Sequence, residues 1–73
     1  MSFTRYEIRE YTWEDGEMTY SPYYSLSEAM EDAKNYSSSQ YKECFICKIT
    51  MYPTYEVEDR LYRINENGEL EKI

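Results

Sequence analysis

Cys44 and Cys47 have the spacing that most resembles a reactive site, because C-x-x-C can supply half a zinc centre or a redox dithiol. Both chemistries need more than spacing. Zinc takes four ligands, and the chain has no third cysteine and no histidine. A redox thiolate is stabilised at a helix N-terminus, whereas Cys44-Phe45-Ile46-Cys47 reads as a strand, on which residues three apart project to opposite faces. The pair is expected to pack as two small apolar side chains.

Carboxylates are the next candidates, since paired acids can hydrolyse a bond or hold a divalent ion. They cluster as Glu14, Asp15 and Glu17, and again as Glu56, Glu58 and Asp59. Neither run has a recognised catalytic or ligand spacing. Asn65-Glu66-Asn67-Gly68 begins like a calcium loop but lacks the closing acid. Ser37, Ser38 and Ser39 have no histidine to act as base, and Lys34 alone is a weak substitute. The two glycines, Gly16 and Gly68, fall in turns, which leaves no phosphate-cradling loop. The residues thus offer no catalytic set, no cofactor site and no metal site, and the chain reads as a non-enzyme.

The elements that carry these residues follow from periodicity. Phe3 to Trp13 alternates, with Tyr6 and Ile8 on one face and Arg5, Glu7 and Arg9 on the other, which predicts a strand. Asp15-Gly16 is a hairpin turn, so Met18 to Tyr24 should return antiparallel, as an edge strand because Pro22 donates no ladder bond. Ser25-Leu26-Ser27-Glu28 is a capping box. It opens a helix whose stripe is Leu26, Ala29, Met30, Ala33 and Tyr36, and which should fade in Ser37-Ser38-Ser39. Tyr41 to Met51 predicts the central, most buried strand. Glu58 to Asn65 predicts another, and Asn67-Gly68 turns the chain into a last short strand, Glu69 to Ile73. The order ββαβββ predicts an α+β fold, a single domain over 1–73 with one amphipathic helix on an antiparallel or mixed sheet.

Leu, Ile, Val and Phe total 11 of 73 residues, and net charge is -7, a combination that ordinarily favours disorder. Ten tyrosines alter that balance, because each ring can bury on the order of 150 to 250 Å². Tyr6, Tyr24, Tyr36 and Tyr62 are expected to replace missing leucines. Residues 1–10 carry Arg5, Glu7, Arg9 and Glu10 without an apolar run, unlike a secretory signal. No stretch is apolar enough to span a membrane as a helix. These features and the two cysteines suit a reducing cytoplasm.

Fifteen acids against eight bases disfavour direct contact with nucleic acid, whose affinity comes mainly from lysine and arginine on phosphates. Stacking of unpaired bases on tyrosine would need Arg5, Arg9, Lys48, Arg60 and Arg63 to gather on one sheet face. The composition fits a basic protein partner better, and a nucleic-acid-handling enzyme or complex is the partner class with such a surface. The expected contacts are Trp13, Glu14, Asp15 and Glu17 at the first turn, with Tyr52, Tyr55, Glu56, Glu58 and Asp59 at the long connection. In size and acidity the chain resembles the small inhibitors that bacteriophages and mobile elements encode against host nucleases, restriction systems or CRISPR effectors. That likeness covers the whole chain, rests on no motif and assigns no residues. The alternative is a self-assembling structural or accessory protein whose tyrosine-rich face forms a homo-oligomer, of which a homodimer is the simplest form.

Overall fold

The computed structural model describes residues 2–73. Strands β1 (Phe3–Thr12) and β2 (Gly16–Tyr23) form a hairpin, and helix α1 (Leu26–Asp32) continues into one 3-10 turn (Ala33–Asn35). Strands β3 (Lys42–Met51), β4 (Glu56–Ile64) and β5 (Leu70–Lys72) complete the chain. The sheet order is β2-β1-β3-β4-β5 and every neighbouring pair is antiparallel. The α+β arrangement and the order ββαβββ are as the sequence predicts, with the sheet antiparallel throughout. β3 is central and β2, with Pro22, lies at the edge.

Helix α1 starts where its cap requires. Ser25 Oγ accepts from the Glu28 amide at 3.2 Å, and Glu28 Oε2 reaches back to the Tyr24 amide at 3.0 Å. It is short, because the chain becomes extended at Tyr36. The reason for the stop lies in Ser38, only 2% exposed. Its hydroxyl donates to the Ile64 carbonyl at 2.6 Å and accepts from the Cys44 amide at 2.9 Å. The serine run is thus a polar stitch between β3 and β4.

Side chains divide by strand parity into two packed groups. On the helix side, Ile8, Ala29, Ala33, Cys44, Ile46 and Ile64 are buried, walled by partly buried Tyr6, Tyr20, Tyr23, Tyr36 and Tyr62 among others. On the opposite side, Phe45, Cys47 and Ile49 are buried with Tyr11 and Met51 against them, although no helix lies there among the described residues. Tyr24 departs from expectation: it is 75% exposed, because its backbone serves the helix cap just past the end of β2. Tyr20 and Tyr23 fill the core position assigned to it.

Two bulges set which side chains meet. Between Tyr6 and Ile8 the β2 partners step from Tyr23 to Tyr20, an extra residue that accommodates Pro22. Between Ile46 and Cys47 the β4 partners step from Tyr62 to Arg60, which leaves Leu61 over. That extra residue changes the parity of β4. Glu56, Glu58 and Arg60 therefore share the open face with Arg63, while Tyr62 and Ile64 face the helix.

Replacing Ser38 by alanine strands a buried amide and removes one bond to the Ile64 carbonyl, so Ser38→Ala should cost about 1–3 kcal/mol in urea unfolding. Ser37→Ala, which removes no side-chain bond, should stay within about 0.5 kcal/mol of wild type.

Candidate partner-binding surface

The nine expected contact residues do not form one surface. β1 and β3 pair Thr12 with Lys42 at one end and Phe3 with Met51 at the other. Trp13, Glu14, Asp15 and Glu17 lie at the first end, and Tyr52, Tyr55 and Glu56 at the second. Ten-residue strands separate them by roughly 30 Å, along a molecule 39 Å in its longest extent.

The hairpin end is tied by its own hydrogen bonds. Thr12 Oγ1 accepts from the Asp15 amide at 2.9 Å and donates to the Gly16 carbonyl at 3.3 Å. Gly16 takes φ +76°, a conformation that other residues adopt only with strain. Trp13 is 82% exposed, yet its backbone amide donates to the Tyr41 carbonyl at 3.1 Å and its indole N–H to the Gln40 carbonyl at 3.0 Å. The ring is pinned and offered to solvent at once. With Glu14, Asp15, Tyr41 and Lys42 it borders an open groove of about 730 Å³. Neither Glu14 nor Asp15 makes an ion pair among the described residues. At the other end the turn closes with Tyr52 donating its amide to the Tyr55 carbonyl at 2.8 Å. The two exposed rings stack with centroids 4.7 Å apart.

Glu17, Glu56 and Glu58 are engaged elsewhere, in a charge lattice across the open sheet face. Glu7, 2% exposed, accepts from Arg5 Nε and Arg9 Nε at 2.9 Å each. Arg5 continues to Glu56 at 3.3 Å, and Arg9 to Glu58 at 2.6 Å and Glu17 at 3.3 Å. Partial burial works against the Arg9 charge, but the bond to Glu7 and the charges of Glu58 and Glu7 outweigh it and raise its pKa. Arg60 lies over the rings of Tyr11 and Phe45, 5.0 and 4.4 Å from their centroids. Arg63 bonds to Glu66 and Glu71. Four of the five bases named for stacking nucleic acid do share this face, but each is matched by a glutamate, and Lys48 lies on the other. Asp59 is exposed and makes no ion pair among the described residues.

The surplus charge has a definite location. Between Arg9 and Lys34 the chain has seven acids, Glu10, Glu14, Asp15, Glu17, Glu28, Glu31 and Asp32, and no lysine or arginine. The other eight acids are equalled in number by the eight bases, so along the sequence the excess falls between Arg9 and Lys34, although Glu10, Glu17 and Glu31 pair with Lys42, Arg9 and Lys34. Glu28, Glu31 and Asp32 border a second open groove with Tyr23, Ser27 and Asn35. Asp32 accepts from the Tyr23 hydroxyl and from Asn35 Nδ2, bonds that lower its pKa. Sequence patterns place Glu28 in the helix cap and Tyr41 at the head of a strand, and mark neither of them, nor Gln40, Glu31 or Asp32, as a contact. The basic-residue gap from 10 to 33 is the signal in the sequence that marks the acids.

The cysteines diverge as a strand requires, Cys44 into the helix-side core and Cys47 into the open-side group. Burial first, and then Glu10, pushes the Cys44 thiol up to about 11. Burial and then Glu58 push Cys47 to about 12. No cluster of three metal-ligating side chains occurs among the described residues, and no described helix is long and apolar enough to cross a membrane. Comparison with protein-family models, curated proteins and solved structures finds no match for this chain.

Both thiols should react only slowly with a thiol reagent near about pH 8 in the folded protein and rapidly in denaturant. The raised values favour the neutral form in the folded state relative to an ordinary 9.0. That stability is complete below about pH 9 and drains away as pH rises through 11 to 12, so urea midpoints should fall across that window.

Proposed function

We propose that this protein is a non-enzymatic binding module that docks its acidic hairpin end onto a basic site of a partner protein. The observation that carries this reading is Trp13, pinned by two hydrogen bonds and still 82% exposed, beside Glu14 and Asp15, which make no ion pair among the described residues. A fixed aromatic loses little entropy on binding, and tryptophan is prominent among residues that dominate interface energies. Tyr41 widens the apolar contact, while Glu14 and Asp15 attract a positive surface and speed encounter.

The partner class that this chemistry suits is a nucleic-acid-handling enzyme or complex, whose working surface is basic because it holds phosphates. Occupying that surface inhibits it. On this reading the protein acts as an inhibitor of the kind that phages and mobile elements direct at host nucleases or CRISPR effectors. The stacked Tyr52 and Tyr55, at the far end of the sheet, belong to a separate surface and take no part in this contact.

Affinity capture from native host lysate, followed by mass spectrometry, tests this directly. The wild-type protein should recover a basic, nucleic-acid-handling protein that elutes as salt rises and competes with nucleic acid for the same site. Trp13→Ala should weaken capture by about 2 kcal/mol or more, roughly thirtyfold, and Glu14→Lys with Asp15→Lys should weaken it further. Asp59→Lys, outside the acidic segment, should leave it unchanged. Recovery of the bait alone, or equal capture by Trp13→Ala, would refute the reading.

A further inference from the structure

The sheet ends in two edges of opposite character. At one, β5 pairs only with Tyr62, Arg63 and Ile64, and the open flank of β4 carries Glu56, Glu58, Asp59 and Arg60, charges that discourage further pairing. At the other, β2 pairs with β1 alone among the described residues, and its one charged side chain, Glu17, is turned to Arg9. The bulge at Pro22 ends the regular part of this edge, so residues 16–20 present an extended row of outward amides and carbonyls.

Helix α1 packs over β1 and β2 on one face of the sheet. The Tyr23 hydroxyl at the end of β2 bonds to Asp32, and Tyr36, just past the helix, packs its ring on Tyr20 at 4.8 Å. An open groove of about 630 Å³ lies at the Tyr23 end of β2, bordered on the helix by Glu28, Glu31 and Asp32. Lys34 neutralises only Glu31, at 3.2 Å.

We propose that the outer edge of β2 accepts an extended lysine- or arginine-bearing segment of the partner as a sixth strand. Its backbone pairs with residues 16–20, and its alternate side chains reach the carboxylates of α1. This inference rests on the partner being a basic protein and adds how that partner is gripped. A second copy of this chain is the poorer occupant, because pairing β2 with β2 would oppose two acidic segments that contain no base.

The probe is a short blocked peptide of alternating lysine and valine, titrated into isotope-labelled protein and followed by amide shifts. Shifts should concentrate on residues 16–20, affinity should fall with salt, and Glu31→Lys should weaken binding several-fold. The same peptide N-methylated at alternate residues keeps its charge but loses backbone pairing, and should bind about tenfold more weakly or worse. Equal affinity of the methylated peptide, shifts centred on Trp13 and Tyr41, or concentration-dependent β2 shifts without peptide would each overturn the proposal. If the peptide fails while Trp13-dependent capture succeeds, the sixth strand is refuted and the partner reading stands.

Discussion

The constraint that governs this molecule is that one short helix can cover only one face of a five-stranded sheet. The other face must be sealed by the sheet's own side chains, and Glu7 is the centre of the seal. Its carboxylate is almost wholly buried, a position that costs several kcal/mol unless the charge is matched and hydrogen-bonded. Arg5 and Arg9, two residues away on either side along β1, supply both conditions, because period two places all three on the same face. The arginines then extend to β2 and β4, so that one strand's alternation ties three strands together.

The lattice also solves a problem of composition. Phe45, Cys47 and Ile49 would otherwise form an apolar stripe open to water, the kind of patch that invites unwanted association. Arginine stems lie along such a surface while their guanidinium groups remain bonded to carboxylates, and Arg60 does the same over two aromatic rings. The glutamates of this face are consequently structural. A high acid count did not translate into an equally wide acidic surface, because more than half of the acids stand in the balanced part of the chain.

Much of the fold was legible because its signals are local. The Ser25 cap, the Asp15-Gly16 and Asn67-Gly68 turns, and the alternation of β1 each depend on neighbours a few residues apart. What was not legible depends on pairing across the sheet. No local pattern shows that Leu61 is an extra residue, yet that residue decides that Glu58 and Arg60 join Arg9 and Tyr11. Tyr24 and Tyr23 are adjacent and chemically identical, and only the path of the chain into the helix puts one outside and one in. The candidate surface was half legible for the same reason: Trp13, Glu14 and Asp15 are contiguous, whereas Gln40 and Tyr41 reach them only through the β1–β3 register.

The position of Trp13 has an optical consequence. The chain's one indole is in water while the protein is folded, so unfolding changes its surroundings little, whereas docking would remove it from solvent. Its emission would therefore report the proposed docking and is nearly silent about folding. The folding signal falls instead to the packed tyrosines, and above all to Tyr20, Tyr23 and Tyr36 around the helix.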